Sequence, residues 1–264
     1  MTALLVLLTG LVSTTPRMLC ALCGWRTPWA RKRVGLATAV LVGLLGAWVG
    51  LGPLRLHPGL PLLLVLLTPL GWILWGLRVV NAEAGFRARA VLWRAATLLL
   101  LVAFLVLTQP AAPSVAQGAC AATGVVLLLT DPANDVVAAL LHTVRPAALQ
   151  HSLGQPVEQG GGLLGGGRWI GTLERLLVLV LAFSTAAAAI AAVVAAKGVI
   201  RFPEISADVP RPQQDQPSAG GRGPAGAKAE EFLIGSFASW GLALLGYLLL
   251  SALGLSVAGG GGGL

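Results

Sequence analysis

Long apolar runs, parted by short polar or Gly/Pro-containing stretches, organise this chain. A helix rises 1.5 Å per residue, so about 20 apolar residues cross a ~30 Å hydrocarbon core. By that rule Thr2–Thr15, Val34–Leu54, Gly59–Leu77, Val91–Thr108, Val115–Thr130, Leu176–Ala196 and Phe232–Val257 are predicted membrane helices. The first is short and is expected to stop at Pro16, and Pro69 is expected to kink the third. The fourth and fifth are each short for a crossing and are parted by Gln109, Pro110, Pro113 and Ser114, so they read as a tight hairpin or one irregular crossing.

The predicted fold is therefore all-α, a polytopic transmembrane helical bundle of about six or seven helices. Residues 1–130 form its N-terminal helices, and 131–168 a polar Gly-rich loop in which Val136–Leu149 can form a short surface helix. Residues 169–257 form a C-terminal hairpin region, interrupted by a Pro-, Gln- and Gly-rich stretch at 206–227. That stretch has almost no large apolar residues, so it reads as a disordered linker; 258–264 reads as a flexible tail.

Composition agrees with a lipid solvent. Of 264 residues, 56% are hydrophobic and 11% charged, against about 25% charged in soluble domains. The apolar mass is mostly Leu, Val and Ala, which is helix-forming material. The first run lacks the basic n-region and small-residue exit of a cleaved signal, so it reads as a membrane helix. Trp25, Trp29, Trp93 and Trp169 lie near run ends, where an amphipathic ring prefers the interface; Trp48, Trp72, Trp75 and Trp240 lie inside runs and read as packing residues.

The net charge of +8 sits in clusters beside the runs. On a soluble protein it would suggest nucleic acid, but no stacking aromatics are interleaved with the basic residues, so nucleic acid is not expected as a partner. Orientation is the simpler role. One cluster is Arg17, Arg26, Arg31, Lys32 and Arg33, another Arg78, Arg87, Arg89 and Arg94, a third Lys197, Arg201, Arg211, Arg222 and Lys228. Six crossings put all three on one side, with Val91–Thr130 crossing once; seven put the third outside. The six-crossing map obeys the positive-inside rule throughout and is the expectation. The expected location is a cell membrane, as a multi-pass protein.

Candidate chemistry concentrates in the last third. Lys197 and Arg201 stand one turn apart at the end of the Leu176–Ala196 helix, where its dipole is negative, and Glu230 and Glu231 open the last helix at its positive end. A hairpin of these helices gathers Lys197, Arg201, Glu204, Glu230 and Glu231 into an interfacial polar cluster. Glu174 and Arg175 are expected on the opposite face, roughly 30 Å away by the helix rise, if the Leu176–Ala196 helix spans the bilayer. Ser184, Ala188, Ala192 and Ala196, facing Gly235, Ser239 and Ala243, form a small-residue stripe that would let the two helices approach closely.

Other polar residues carry weaker signals. Cys20 and Cys23 form a C-x-x-C with neither a second pair for zinc nor a βαβ setting for redox chemistry. Asp131, Asp135, His142 and His151 match no ligand spacing, and Gly235-Ser236 has no membrane-embedded His to activate a serine. No catalytic residue, metal or cofactor is expected.

The block Gly171-x-x-Glu174-Arg175, Ala196-Lys197, Arg201-Phe202-x-Glu204 and Ala229-Glu230-x-Phe232-Leu233-Ile234-Gly235-x-x-x-Ser239 resembles the C-terminal part of a bacterial membrane family known as domain of unknown function 3307. The resemblance covers Trp169 to Leu250, with the Pro/Gln linker as an insertion, and implies a membrane protein without a known activity. The expected function is a non-catalytic membrane scaffold or partner-binding component, whose partners are the lipid bilayer and a membrane protein or second copy. A small-solute transporter or channel would instead require ionisable groups or broken helices at mid-depth. An enzyme or binder of lipid headgroups would use the interfacial charges.

Overall fold

The computed structural model describes residues 1–24, 27–79, 82–108, 114–144, 166–184, 186–207 and 224–255. Its helices, in chain order, are α1 (Thr2–Leu22), α2 (Pro28–Leu51), α3 (Leu60–Val79), α4 (Ala84–Thr108), α5 (Val115–Leu128), α6 (Asp131–Val144), α7 (Gly166–Phe183), α8 (Ala187–Ala207) and α9 (Pro224–Ala252), with no strand among the described residues. Five of them contain apolar stretches long enough to cross a membrane, and the bent pair α5–α6 is a sixth when taken as one span. The chain is an all-α, multi-pass membrane protein.

The most N-terminal helix is the centre of the bundle. Leu4, Leu5, Val6 and Leu8 of α1 are fully enclosed, and α1 packs chiefly on α5, α2 and α3. Close approach to α5 depends on two glycines. A Cβ on Gly124 would lie 2.6 Å from the backbone of Val6 and of Leu7, and one on Gly10 would lie 2.9 Å from the Gly124 carbonyl. With almost no hydrophobic drive between helices in lipid, such backbone proximity and the dispersion contact it allows hold membrane helices together. The expected stop at Pro16 does not occur: α1 continues through Pro16 to Leu22. Pro removes one N–H, and neighbouring helices compensate such a loss in membranes.

Neighbours fix helix directions. Gly46 and Gly50 of α2 face Leu8 and Leu4, so α2 runs antiparallel to α1. The same two glycines face Leu66 and Leu62, so α3 is antiparallel to α2. Gly10 and Gly124 set α5 parallel to α1, and Gly118 and Gly246, facing Leu255 and Val125, set α9 antiparallel to α5. Helix α4 is by itself long and apolar enough to cross a membrane, so Val91–Thr108 and Val115–Leu128 belong to separate helices rather than to one crossing.

Two breaks shape the bundle, one close to the expected end of the fifth run and one inside the sixth. Helix α5 stops at Leu128, and α6 continues at a 44° bend. Thr130-Asp131-Pro132 explains the restart, because a Thr followed by an acidic residue and a Pro opens a new helix favourably. The predicted polar loop from 131 is thus a packed helix to Val144, with Ala133 and Ala139 buried and with α4 and α9 on either side.

The second break divides the predicted Leu176–Ala196 helix. Helix α7 ends at Phe183, where the Ser184 hydroxyl donates to the Leu181 carbonyl, and α8 starts at Ala187. Serine hydroxyls compete for local carbonyls and so favour helix ends. Leu179 faces Gly246, and the Phe183 ring meets Tyr247 edge-on at 5.0 Å, so α7 runs beside α9 in the same direction. Helix α8 then turns back along α7. The pair therefore starts and finishes toward the same end of the bundle. The expected linker 206–227 and tail 258–264 fall largely outside the described residues.

Among the described residues Arg17, Arg31, Lys32, Arg33, Arg78, Arg87 and Arg89 lie toward the end that holds Leu22, Pro28, Val79 and Ala84, Arg55 lies at the other, and Arg175 and Lys197 lie between. Of the eight Trp residues, Trp48 and Trp75 face outward rather than packing as expected, whereas Trp72 and Trp240 are half-buried.

Candidate functional site

Where α5, α6, α7 and α9 meet, Arg175 is 2% exposed. A helix end leaves its last carbonyls without intrahelical donors. The bend after α5 does this at Leu129 and Thr130, and the guanidinium fills both: Nε donates to the Leu129 carbonyl at 2.8 Å and Nη2 to the Thr130 carbonyl at 3.4 Å. The remaining fork reaches the Ser239 hydroxyl at 3.1 Å, the Asn134 side-chain carbonyl, and Thr172 at 3.4 Å. A planar guanidinium presents five donors in a fixed fork, which suits it to tie several helices at one point. The positive charge also faces the negative end of the α5 dipole.

One residue earlier on α7, Glu174 belongs to a second assembly. Lys197 of α8 lies 2.5 Å from its carboxylate, and Trp240 of α9 donates its indole N–H to the other carboxylate oxygen at 3.4 Å. The Lys197 ammonium also lies 5.4 Å from the Trp240 ring centre and 5.8 Å from that of Phe232, within cation–π range. The expected separation of Glu174 from Lys197 is therefore absent. It assumed a continuous helix from Leu176 to Ala196, and the turn at Ser184 folds that length back on itself.

The other expected residues scatter. Arg175 is not a surface partner of Glu174 but a buried node. Arg201 and Glu204 lie in α8 with side chains outside the described residues. Glu230 is exposed and Glu231 half-buried at the start of the described part of α9. The stripe does not zip the last two long helices. Ser184 sits in the turn, and Ala188, Ala192 and Ala196 are exposed. On α9, Gly235 faces Leu141 and Val137 of α6, Ser239 accepts from Arg175, and Ala243 is fully buried.

A third polar group lies on the other side of α6. Arg17 of α1 pairs with Asp135 of α6. Arg94 of α4 donates to the Trp72 carbonyl at 3.2 Å and stacks on the Trp72 ring at 4.1 Å. In the sequence Arg17 and Arg94 read only as orientation charges and Asp135 as a residue of the polar loop. The one usable signal was Arg94 itself, placed inside an apolar run after Val91.

Among the described residues no three of His, Cys, Asp and Glu gather as a metal site would require, and Cys20, Cys23 and Cys120 are free. Comparison with protein-family models, curated proteins and solved structures returns no match for this chain.

Proposed function

We propose that this chain is a non-catalytic membrane component, a six-span bundle with one re-entrant helical pair, that presents its basic end to partners on the cytoplasmic side of a bacterial membrane. The observation that carries this reading is the commitment of the polar side chains where α5 to α9 meet to one another and to helix-end carbonyls. Arg175 is consumed by helix-end carbonyls, Asn134, Thr172 and Ser239, and Glu174 by Lys197 and Trp240. Groups held this way tie helices together; a reacting or transporting group keeps a donor or acceptor available.

The side is supported by the re-entrant pair. Because α8 turns back along α7, the start of α7 at Gly166 and the end of α8 at Ala207 point toward the end that also holds the α1–α2 and α3–α4 turns. The positive-inside rule then assigns that end to the cytoplasm. The likeness of Trp169–Leu250 to domain of unknown function 3307 belongs to the same proposal and adds no activity.

The test is a fluorescent reporter that folds only in the cytoplasm, fused after Asp215 in one version and after Leu255 in another. Signal from the first and none from the second is expected. The reverse pattern overturns the orientation, and signal from both overturns the six-span count. The non-catalytic reading fails if Glu174→Gln or Arg175→Lys raises thermal stability in detergent, since gain on removal is the mark of a strained functional group.

A further inference from the structure

The gap between α4 and α9 is not filled by protein. It forms a cavity of about 620 Å³, within the range of sites that enclose small ligands. Its wall is apolar, with Val12, Leu98, Val102, Val125, Leu242 and Leu249 among the lining residues. Along α4 the lining runs from Val91 to Val102, about 16 Å at the helical rise. One end is different in kind: Arg17, Arg31 and Arg94 border it, with Asp135 the one carboxylate. Asp135 is already paired with Arg17, so two guanidinium charges are left over.

Arg94 shows what is missing. One of its terminal nitrogens donates to the Trp72 carbonyl, yet its Nε is buried and has no hydrogen-bond partner. A buried donor without an acceptor is costly, most of all on a charged group. An occupant with oxygen acceptors at the basic end and hydrocarbon behind it would satisfy both parts of the cavity. An entry path exists from the side. Helix α6 separates α4 from α9 at the basic end, and Leu99 and Leu245, both lining residues, are 48% and 41% exposed to the surroundings.

We propose that this cavity holds an anionic phospholipid, one acyl chain lying along α4 and its phosphate bound by Arg94, Arg31 and Arg17. Arginine presents paired N–H donors that match phosphate oxygens. Basic pockets between membrane helices on the cytoplasmic side are a recurrent place for acidic headgroups. The site lies across α6 from Glu174 and Lys197 and is independent of the scaffold reading, which survives its failure.

The experiment is native mass spectrometry of the full chain, delipidated in a neutral detergent and titrated with phosphatidylglycerol, phosphatidylcholine of the same chains, or palmitate. Phosphatidylglycerol is expected to bind at one site, and about tenfold more tightly than phosphatidylcholine, because the latter carries its own cation. Arg94→Gln is expected to weaken phosphatidylglycerol by about tenfold or more. Ala95→Trp, which fills the cavity while keeping every arginine, is expected to abolish the one-site adduct with helix content unchanged. Equal binding of the two phospholipids by the wild-type chain overturns the proposal, whatever the variants do. So does palmitate binding as tightly as phosphatidylglycerol, because the phosphate would then have no role. Unchanged phosphatidylglycerol affinity in a folded Ala95→Trp protein overturns the location.

Discussion

The Lys197 ammonium lies 2.5 Å from the carboxylate of Glu174, although the two residues were expected at opposite faces of a membrane. The contact closes the α7–α8 pair on itself and sets the parity of the whole topology. With side-chain exposures of 25% and 11%, both charges are largely withdrawn from solvent.

Glu174→Gln leaves Lys197 half-buried without its counter-charge. A loss of about 1–3 kcal/mol is expected, read as a lower melting temperature by circular dichroism in detergent. The exchanged double variant Glu174→Lys with Lys197→Glu is expected to recover most of it, because the pair re-forms in reverse. If the single change leaves melting where it was, the α7–α8 hairpin is held by something else.

Arg175→Met strips the Leu129 and Thr130 carbonyls of their outside donors and is expected to cost about 2–4 kcal/mol. Arg175→Lys should restore only a minor part, since an ammonium cannot span both carbonyls and Ser239 in the fork geometry. Hydrogen exchange gives the local readout: amides around the α5–α6 bend should exchange faster in both variants. Protection equal to wild type there would show that the guanidinium does not hold the bend.

Gly124→Ala is expected to lower stability by about 1–3 kcal/mol, because its Cβ would meet backbone atoms of Val6 and Leu7 at 2.6 Å and backbone cannot rotate away. Ala188→Leu is expected to change stability by less than about 0.5 kcal/mol, since Ala188 is exposed. Paired unfolding curves check both. The reverse ranking would restore the α8 stripe and remove the Gly10–Gly124 crossing as a contact that holds α5 on α1.

Asp135→Asn breaks the ion pair with Arg17, whose side chains are 47% and 34% exposed. Solvent and salt screen such a pair, so a loss below about 1 kcal/mol is expected, shrinking as salt is raised. A large, salt-independent loss would mean that the pair is shielded from water.

Much of the architecture was legible because hydropathy is a property of each run alone. Leu60–Val79 and Ala84–Thr108 lie close to where their apolar stretches put them. The end of the fifth run at Thr130 was legible, though not the packed helix that follows it, whereas the break at Ser184 was hidden by apolar residues on either side. In an apolar run a Ser or Thr is equally able to bond a carbonyl of its own helix, as Thr9 does with Leu5, so the residue type alone does not mark an end.

The candidate site was less legible, since a partner is set by distance in space. Glu174 and Lys197 are separated by most of a predicted membrane span along the chain, and Arg175 takes acceptors from residues 129, 130 and 134. None of those carbonyls is distinguishable in sequence from any other helical carbonyl.

By itself the sequence determined the solvent, the helical class, and the gathering of basic residues into clusters, because each follows from the chemistry of consecutive residues against a slab of hydrocarbon. Only the tertiary structure decided that α1 is the core, that α7 and α8 double back, and which polar groups meet. In lipid almost every face of a helix is apolar, so the pattern along the chain scarcely says which face packs inward; close fit at residues such as Gly10 and Gly124, and hydrogen bonds such as those of Arg175, make that choice.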